Sequence, residues 1–493
     1  MTVAVRVTYT RLRATDPARW SATALAWRHW AALIGVLCGE FGPLLARVRA
    51  AWSGAAADAA AARLGALRRR LVLLRLLCWR ADQALSEFAA ALTRARALLD
   101  RARATAHATG LTIDDAGRVA PGPAAAELAT ALRVAGDADE SAAARLAELA
   151  VAPAAPTGSA RPDCTATPAQ VARWWAGLSP AERMWLLAAE PGAVAGLDGV
   201  PVADRDLANR LLLADRRDRL RHTAGTPDAA KLRGLDRLAG RLEDERGPRA
   251  YLIGLDVAGD GRAIVALGDP DHAANVLTHV PGMTADLAGL GGELTRAERV
   301  AARAGELGPE AATSSVLWLG YDAPDFLHEA WSAGQAESGA TGLRRFQEGL
   351  RATHDGPAAR QTVLGHSYGS LVVGKAATGA LDADRVIFVG SPGVGVDSAA
   401  QLRLPADRVF ASTSISDPIQ YGAVSLDTAA RHLVPGLPVT GPADRLWFGH
   451  NPADPEFGAR VFGSQWNGGH LGYWEPGKPA LDALARITLG GTP

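Results

Sequence analysis

The residues of this 493-residue chain best placed to do chemistry are Gly365-His366-Ser367-Tyr368-Gly369. An apolar run, 361–364, precedes them and a helical pattern over 370–380 follows. A serine at such a strand-to-helix turn is forced into a strained backbone conformation, and glycine on both flanks permits the close approach. Its hydroxyl is then held at the carboxyl edge of a sheet, at a helix N-terminus. That setting suits Ser367 to nucleophilic attack on an acyl carbon, which requires a base to take its proton and an acid to orient the base.

In this arrangement both partners follow the serine in the chain, the acid first. The β-rich run 408–412 leads into Ser416-Asp417-Pro418, so Asp417 is the candidate acid; Asp384 and Asp397 are rivals in loops nearer the preceding strand. His470 is the candidate base. It lies in Asn467-Gly468-Gly469-His470-Leu471-Gly472-Tyr473-Trp474, a glycine-rich loop free to swing over the nucleophile, with His432 and His450 as rivals. Two amide donors are needed for the oxyanion. Tyr368 follows the nucleophile directly, and Met283 lies in Pro281-Gly282-Met283-Thr284, where Gly282 lets the backbone turn its amides inward. Tyr321 and Asp322, in Gly320-Tyr321-Asp322-Ala323-Pro324, end another strand at the edge where ligands bind in such sheets. They are candidate pocket residues; Asp322 precedes Ser367 and so falls outside the usual triad order. His366 joins that set, although its place on the elbow points it away from the nucleophile.

The elements that must position these residues begin after Gly247-Pro248. Short β-rich runs at 251–257, 262–267, 275–280, 315–320, 361–364, 385–389 and 408–412 define a catalytic region over 251–493. Ala258-Gly259-Asp260-Gly261 joins the first two as a hairpin, and helical stretches between the others imply right-handed crossovers and a mainly parallel sheet. The fold class is therefore α/β, an α/β-hydrolase arrangement behind an all-helical N-terminal region. In that region, residues 1–110 read as a helical hairpin. Asp16-Pro17 starts the first helix, Trp20, Ala24, Trp27 and Ala31 recur on one face, and Trp52-Ser53-Gly54 marks the turn. Residues 111–165 read as a connector with a small hairpin around Asp114-Asp115-Ala116-Gly117 and a helix from Pro123; 166–250 is a helical segment leading into the catalytic region. Trp27, Trp30, Trp174, Trp175 and Trp185 are expected to anchor helix packing.

Composition narrows the function further. With 52 basic and 52 acidic residues the chain lacks the electrostatic footprint of a nucleic-acid binder. The three cysteines cannot make a disulfide framework, and Cys38 and Cys78 lie at unequal distances from the Ser53 turn, out of bridging reach. The most apolar windows, 31–39 and 71–79, are too short to span a bilayer, and no stretch has the layout of a cleaved signal. The expectation is a protein with no transmembrane segment, cytoplasmic or exported without a cleaved signal. Arg68-Arg69-Arg70 and 215–221 read as solvated charged faces. Asp256, Asp260, Asp269 and Asp271 read as turn formers without calcium-loop spacing. No metal or cofactor is implied, and the expected partner is a small-molecule ester.

Two resemblances add to this reading. Trp52-Ser53-Gly54 between two long helices resembles the Trp-x-Gly hairpins exported by type VII secretion, which implies a helical partner for residues 1–110. The acidic residue four positions after a tyrosine that marks export in that family has no counterpart, since no tyrosine lies between Tyr9 and Tyr251. The rest is similar to an actinobacterial α/β-hydrolase family long carried as a domain of unknown function. The similarity rests on Trp174-Trp175 with Leu178, Gly196-Leu197-Asp198-Gly199-Val200-Pro201, Arg205 with Asn209-Arg210, Val280-Pro281-Gly282-Met283, Gly320-Tyr321-Asp322-Ala323-Pro324, the Ser367 pentapeptide, Ser416-Asp417-Pro418 and His470 with Tyr473-Trp474. It implies an intact Ser–Asp–His hydrolase, with an esterase- or lipase-like activity as the leading expectation, and it joins 166–246 to the catalytic domain. The competing expectation is an interaction protein of a type VII system that uses the hydrolase fold as a scaffold.

Overall fold

The computed structural model describes residues 7–158, 161–223, 226–244, 247–325, 329, 332–423 and 444–493. After a short α1 (Tyr9–Ala14), α2 (Pro17–Ala51) begins where the Asp16 carboxylate accepts from the Ala18 amide at 3.0 Å. Gly54, at φ 103°, turns the chain into α3 (Ala55–Ala108). The stripe on α2 differs from the expected one. Ala24, Arg28 and Ala31 are buried against α3, whereas Trp20, Trp27 and Trp30 are exposed. A residue three positions on is turned about 60° off the starting face, and only the small alanines let the two backbones approach. The expectation of short apolar windows also gives way: α2 as a whole is long and apolar enough to cross a bilayer, by length and composition alone.

Within the connector, α4 (Pro123–Ala147) packs Leu128 and Ala131 on Leu92, Leu98 and Leu99 of α3. The expected small hairpin is a turn in which the Asp114 carboxylate accepts from the Ala116 and Arg118 amides, with no strand there among the described residues. Next come α5 (Pro168–Gly177), α6 (Pro180–Ala189), α7 (Pro191–Val194), α8 (Val202–Thr223) and α9 (Thr226–Glu243). Ser and Thr capping boxes with proline at the first helical position start both α5 and α6. Trp175, Leu186 and Leu187 share one core with Leu76 and Trp79 of α3.

Beyond these helices run β1 (Ala250–Asp256), β2 (Arg262–Leu267), β3 (Asn275–Val280), α10 (Leu290–Leu307), β4 (Thr313–Trp318), α11 (Gly334–Thr353), β5 (Arg360–His366), α12 (Gly369–Ala377), β6 (Arg385–Val389), β7 (Val409–Ser412) and α13 (Ile419–Gly422). A two-stranded pair, β8 (Arg445–Leu446) and β9 (Gly449–His450), precedes β10 (Arg460–Val461) and α14 (Pro479–Thr488). The main sheet has the order β1-β2-β4-β3-β5-β6-β7-β10. β2 is antiparallel to both neighbours, and every pairing from β4 to β10 is parallel. Strands β3 and β6 are buried throughout; β6 reads as an apolar run, Val386 to Val389, whereas β3 buries Asn275, Thr278 and His279 among its valines and leucine. Val280 pairs with Gly365 and His366 with Val389, so the carboxyl ends of β3, β5 and β6 meet at one edge.

The hairpin is joined to this sheet by buried charge. Asp82 of α3 accepts from Arg28 of α2 at 2.9 Å and from Arg249, just before β1, at 3.1 Å. Arg249 reaches on to Asp206 of α8 at 3.1 Å, and Asp206 holds Arg210 at 2.8 Å. Beside this ladder, Glu87 of α3 accepts from the Tyr251 hydroxyl and the Arg145 guanidinium. Asp269 and Asp271, expected as turn formers, are buried; Asp271 takes the Val202 amide and the Thr353 hydroxyl, each at 2.6 Å, and so fastens α8 and α11 to the sheet. Glu87, Asp269 and His272 present ligand-type atoms within 4.8 Å of one another. Their charge is already balanced, by Arg145 on Glu87 and by a proton on His272.

The hydrogen bond to Asp269, 3.0 Å from its Nδ1, raises His272 to about 9. A folded value above the ordinary 6.5 means that the pair stabilises fully below about pH 6.5 and that this stabilisation is lost as pH rises through about 9. The His272 side chain is 44% exposed, which keeps the effect small. The native chain is expected to melt up to about 1 °C above His272→Gln at about pH 6, the two converging near pH 10. A gap that stays constant across thermal scans over this range would assign the contribution of His272 to packing instead.

Candidate functional site

The elbow has the geometry that its glycines suggest. Ser367 sits at φ 52°, in the left-handed region, between β5 and α12. A Cβ on Gly369 would lie 2.3 Å from the Val280 carbonyl oxygen, and one on Gly365 2.6 Å from the Ser370 Cα, so neither flank admits a side chain. The Ser367 amide donates to the Val389 carbonyl at 3.1 Å, tying the elbow to the end of β6.

Asp417 and His470 meet across the loops after β7 and β10. The His470 Nδ1 lies 2.8 and 3.0 Å from the two Asp417 carboxylate oxygens. Asp417 is fully buried and takes two further donors, the Ile419 amide at 2.9 Å and the Tyr473 hydroxyl at 2.6 Å. Burial opposes its ionisation, but the bonds from His470, Tyr473 and Ile419 outweigh that and hold the carboxyl below its ordinary value. Burial, then the charge of Asp417, push the Tyr473 hydroxyl up, so it stays a protonated donor while accepting from the Ser414 amide at 3.0 Å. Sequence reasoning placed Tyr473 near the base without giving it this role. Its spacing three residues after His470, in a helical turn, was the available signal.

His366 links the two halves of the site. Its Nε2 lies 3.0 Å from the His470 carbonyl oxygen, with ring centroids 4.7 Å apart. Burial and then the proximity of His470 lower it to about 3, so the imidazole is neutral and its Nε2–H donates to that carbonyl. Gly390, which follows β6, packs against both Asp417 and His470. Ser367, Asp417 and His470 therefore share one end of the sheet. Among the described residues no hydrogen bond joins the Ser367 hydroxyl to His470; such contacts often tighten only with substrate bound.

The Pro281–Thr284 turn leans over the serine. A Cβ on Gly282 would fall 2.5 Å from the Ser367 Cβ, so only glycine fits there. Thr284 is held at φ 63° and donates to the Pro324 carbonyl at 2.8 Å, and the Tyr321 hydroxyl braces the Pro281 carbonyl at 2.7 Å. No carbonyl among the described residues takes the amide of Met283 or of Tyr368. Tyr321 is buried and stacks on Tyr368, a brace for this turn more than a pocket wall. Asp322 is exposed and faces Gly259 in the β1–β2 turn.

The rivals lie elsewhere. Asp384 accepts from the Gln361 amide at 2.8 Å, where β5 begins, at the opposite edge of the sheet. Asp397 accepts from the His450 backbone amide at 3.1 Å and faces Arg445, while the His450 ring faces Asp454 at 3.7 Å. His432 lies outside the described residues.

A mainly parallel sheet with a strained serine at the carboxyl end of β5 defines an α/β hydrolase. The comparisons agree: residues 256–427 match the family model described as "Alpha/beta hydrolase", a stretch that contains Ser367 and Asp417. An uncharacterized protein of Mycobacterium bovis is 33% identical over 237 residues, 45% of this chain and 85% of the relative. The chain belongs to the alpha/beta hydrolase family. Uncharacterized proteins of two Mycobacterium tuberculosis strains are 31% identical over 364 residues, 65% of this chain. The chain spans about 55% of the length of those relatives. No solved structure matches.

Proposed function

We propose that the protein is a serine hydrolase that cleaves carboxylic esters, with Ser367 as nucleophile, His470 as base and Asp417 as the acid that orients it. The observation that carries this reading is the buried Asp417 carboxylate on His470 Nδ1, beside a serine at φ 52°. Ser367 Oγ bonds to the acyl carbon as its proton passes to His470 Nε2. The imidazolium then protonates the departing alcohol, and water, deprotonated by His470, releases the acid and restores the serine. The amides of Tyr368 and Met283 are assigned to the oxyanion, in keeping with their lack of other partners.

An apolar acyl substrate is favoured by what surrounds the catalytic loops. Ile415 and Trp466 are 71% and 75% exposed, and Tyr421 and Leu471 are exposed beside them. The two loops are tied together by bonds from Ser414 Oγ to the Gln465 carbonyl and from the Gly469 amide to Ser416 Oγ, each at 2.8 Å. A second reading, a scaffold whose hairpin docks a helical partner through residues 1–110, draws on the exposed face of α2.

Covalent labelling of the full chain with a fluorophosphonate probe separates the two. Wild type is expected to label and Ser367→Ala is not. Failure of the wild type to label, with its fold intact by circular dichroism, would remove the enzyme reading.

A further inference from the structure

The distal half of the α2–α3 hairpin has no role in the hydrolase. Beyond Cys38 and Leu71, whose side chains pack on the core, the only buried residue is Ala57, so the arm from Gly39 to Arg70 stands away from the core for about 20 Å at helical rise. Its surface is unusual in two ways at once. Trp30, Leu33, Val36 and Leu37 form an exposed apolar stripe that leads onto the arm, and Trp52 is exposed at its tip. Among them stand six arginines, Arg47, Arg49, Arg63, Arg68, Arg69 and Arg70, against two acids, Glu40 and Asp58. All six are exposed and none forms an ion pair among the described residues, although arginines elsewhere in the fold commonly do.

We propose that this arm docks the protein on the surface of an anionic lipid bilayer. Unpaired guanidinium groups are drawn to a negatively charged surface, and Trp, Leu and Val side chains between them enter the interface between headgroups and acyl chains. Tryptophan suits that boundary because its ring is apolar while its N–H remains hydrated. The arm lies along the membrane and does not cross it, since α2 is held to α3 through Ala24, Arg28 and Ala31 and six charges would have to be desolvated. A protein partner would call for a bounded apolar groove; scattered cations around an apolar stripe fit a fluid, uniformly anionic surface better. The inference is independent of the ester chemistry.

The test is co-sedimentation of the full chain with vesicles of phosphatidylcholine alone or with about 30% phosphatidylglycerol. Binding is expected to the anionic vesicles only and to fall at least about tenfold when salt rises from about 50 to 300 mM. The triple variant Arg68→Glu, Arg69→Glu, Arg70→Glu and the variant Trp30→Ser, both at exposed positions, are each expected to lose about tenfold with unchanged melting temperature. Equal binding to both vesicle types, no binding at low salt, or indifference to both variants would overturn the proposal. So would a face found covered by a second protein copy in light scattering, with no vesicle binding.

Discussion

Replacing Asp417 by Asn is expected to lower kcat on a p-nitrophenyl ester by about 10⁴-fold while leaving the chain folded. Both carboxylate oxygens work as acceptors, one for His470 and the Ile419 amide, the other for His470 and the Tyr473 hydroxyl. An amide offers one acceptor and one donor. In either orientation its NH₂ faces a group that must itself donate, so His470 loses the partner that fixes its Nδ1 proton and with it the free Nε2 that takes the proton of Ser367. Fluorophosphonate labelling should slow in proportion, because it uses the same base. A loss of kcat below about tenfold would take Asp417 out of the mechanism and leave its burial as its only role.

What the sequence made legible was local in origin. The Ser367 elbow, the buried strands and the glycine-rich loop of His470 are encoded within a few residues, and glycine where a Cβ has no room is a signal that needs no tertiary knowledge. The N-terminus of α2 was likewise written in Asp16-Pro17. The errors came where a neighbour distant in sequence decides. Trp27 and Ala31 look like one stripe on paper, yet contact with α3 selects the alanines; Trp27 is exposed, and Trp20 meets α3 only edge-on at Phe88. Asp322 stands at a strand end like Tyr321, but only the tyrosine turns inward, to Pro281. β10 is two exposed residues, Arg460 and Val461, with no apolar run to reveal them. Asp269 and Asp271 resemble turn formers because the helices that bury them are contributed from elsewhere.

The hairpin shows the same limit at larger scale. Read as a separate module, it proves to be keyed into the hydrolase by Asp82, one helical turn from Trp79 on the buried face of α3. Asp82→Asn keeps the side chain's shape and removes its charge. Arg28, buried, would then keep only the Asp244 carbonyl and the Ser86 hydroxyl, and Arg249, also buried, only Asp206, which already holds Arg210. Breaking a buried charge network from one side costs about 3–5 kcal/mol. How far the melting temperature falls then reports the unit that unfolds. Unfolding entropy scales at about 2.1 cal/mol/K per residue, so a chain that melts as one body would drop by about 3–5 °C. If the helical region melts by itself, with a length of about 240 residues, the same loss would appear as a fall of about 6–10 °C in a separate first transition. Calorimetry distinguishes these outcomes. A shift under about 1 °C in every transition would mean that the arginines find water in place of Asp82, and that the hairpin is held to the sheet by its apolar contacts alone.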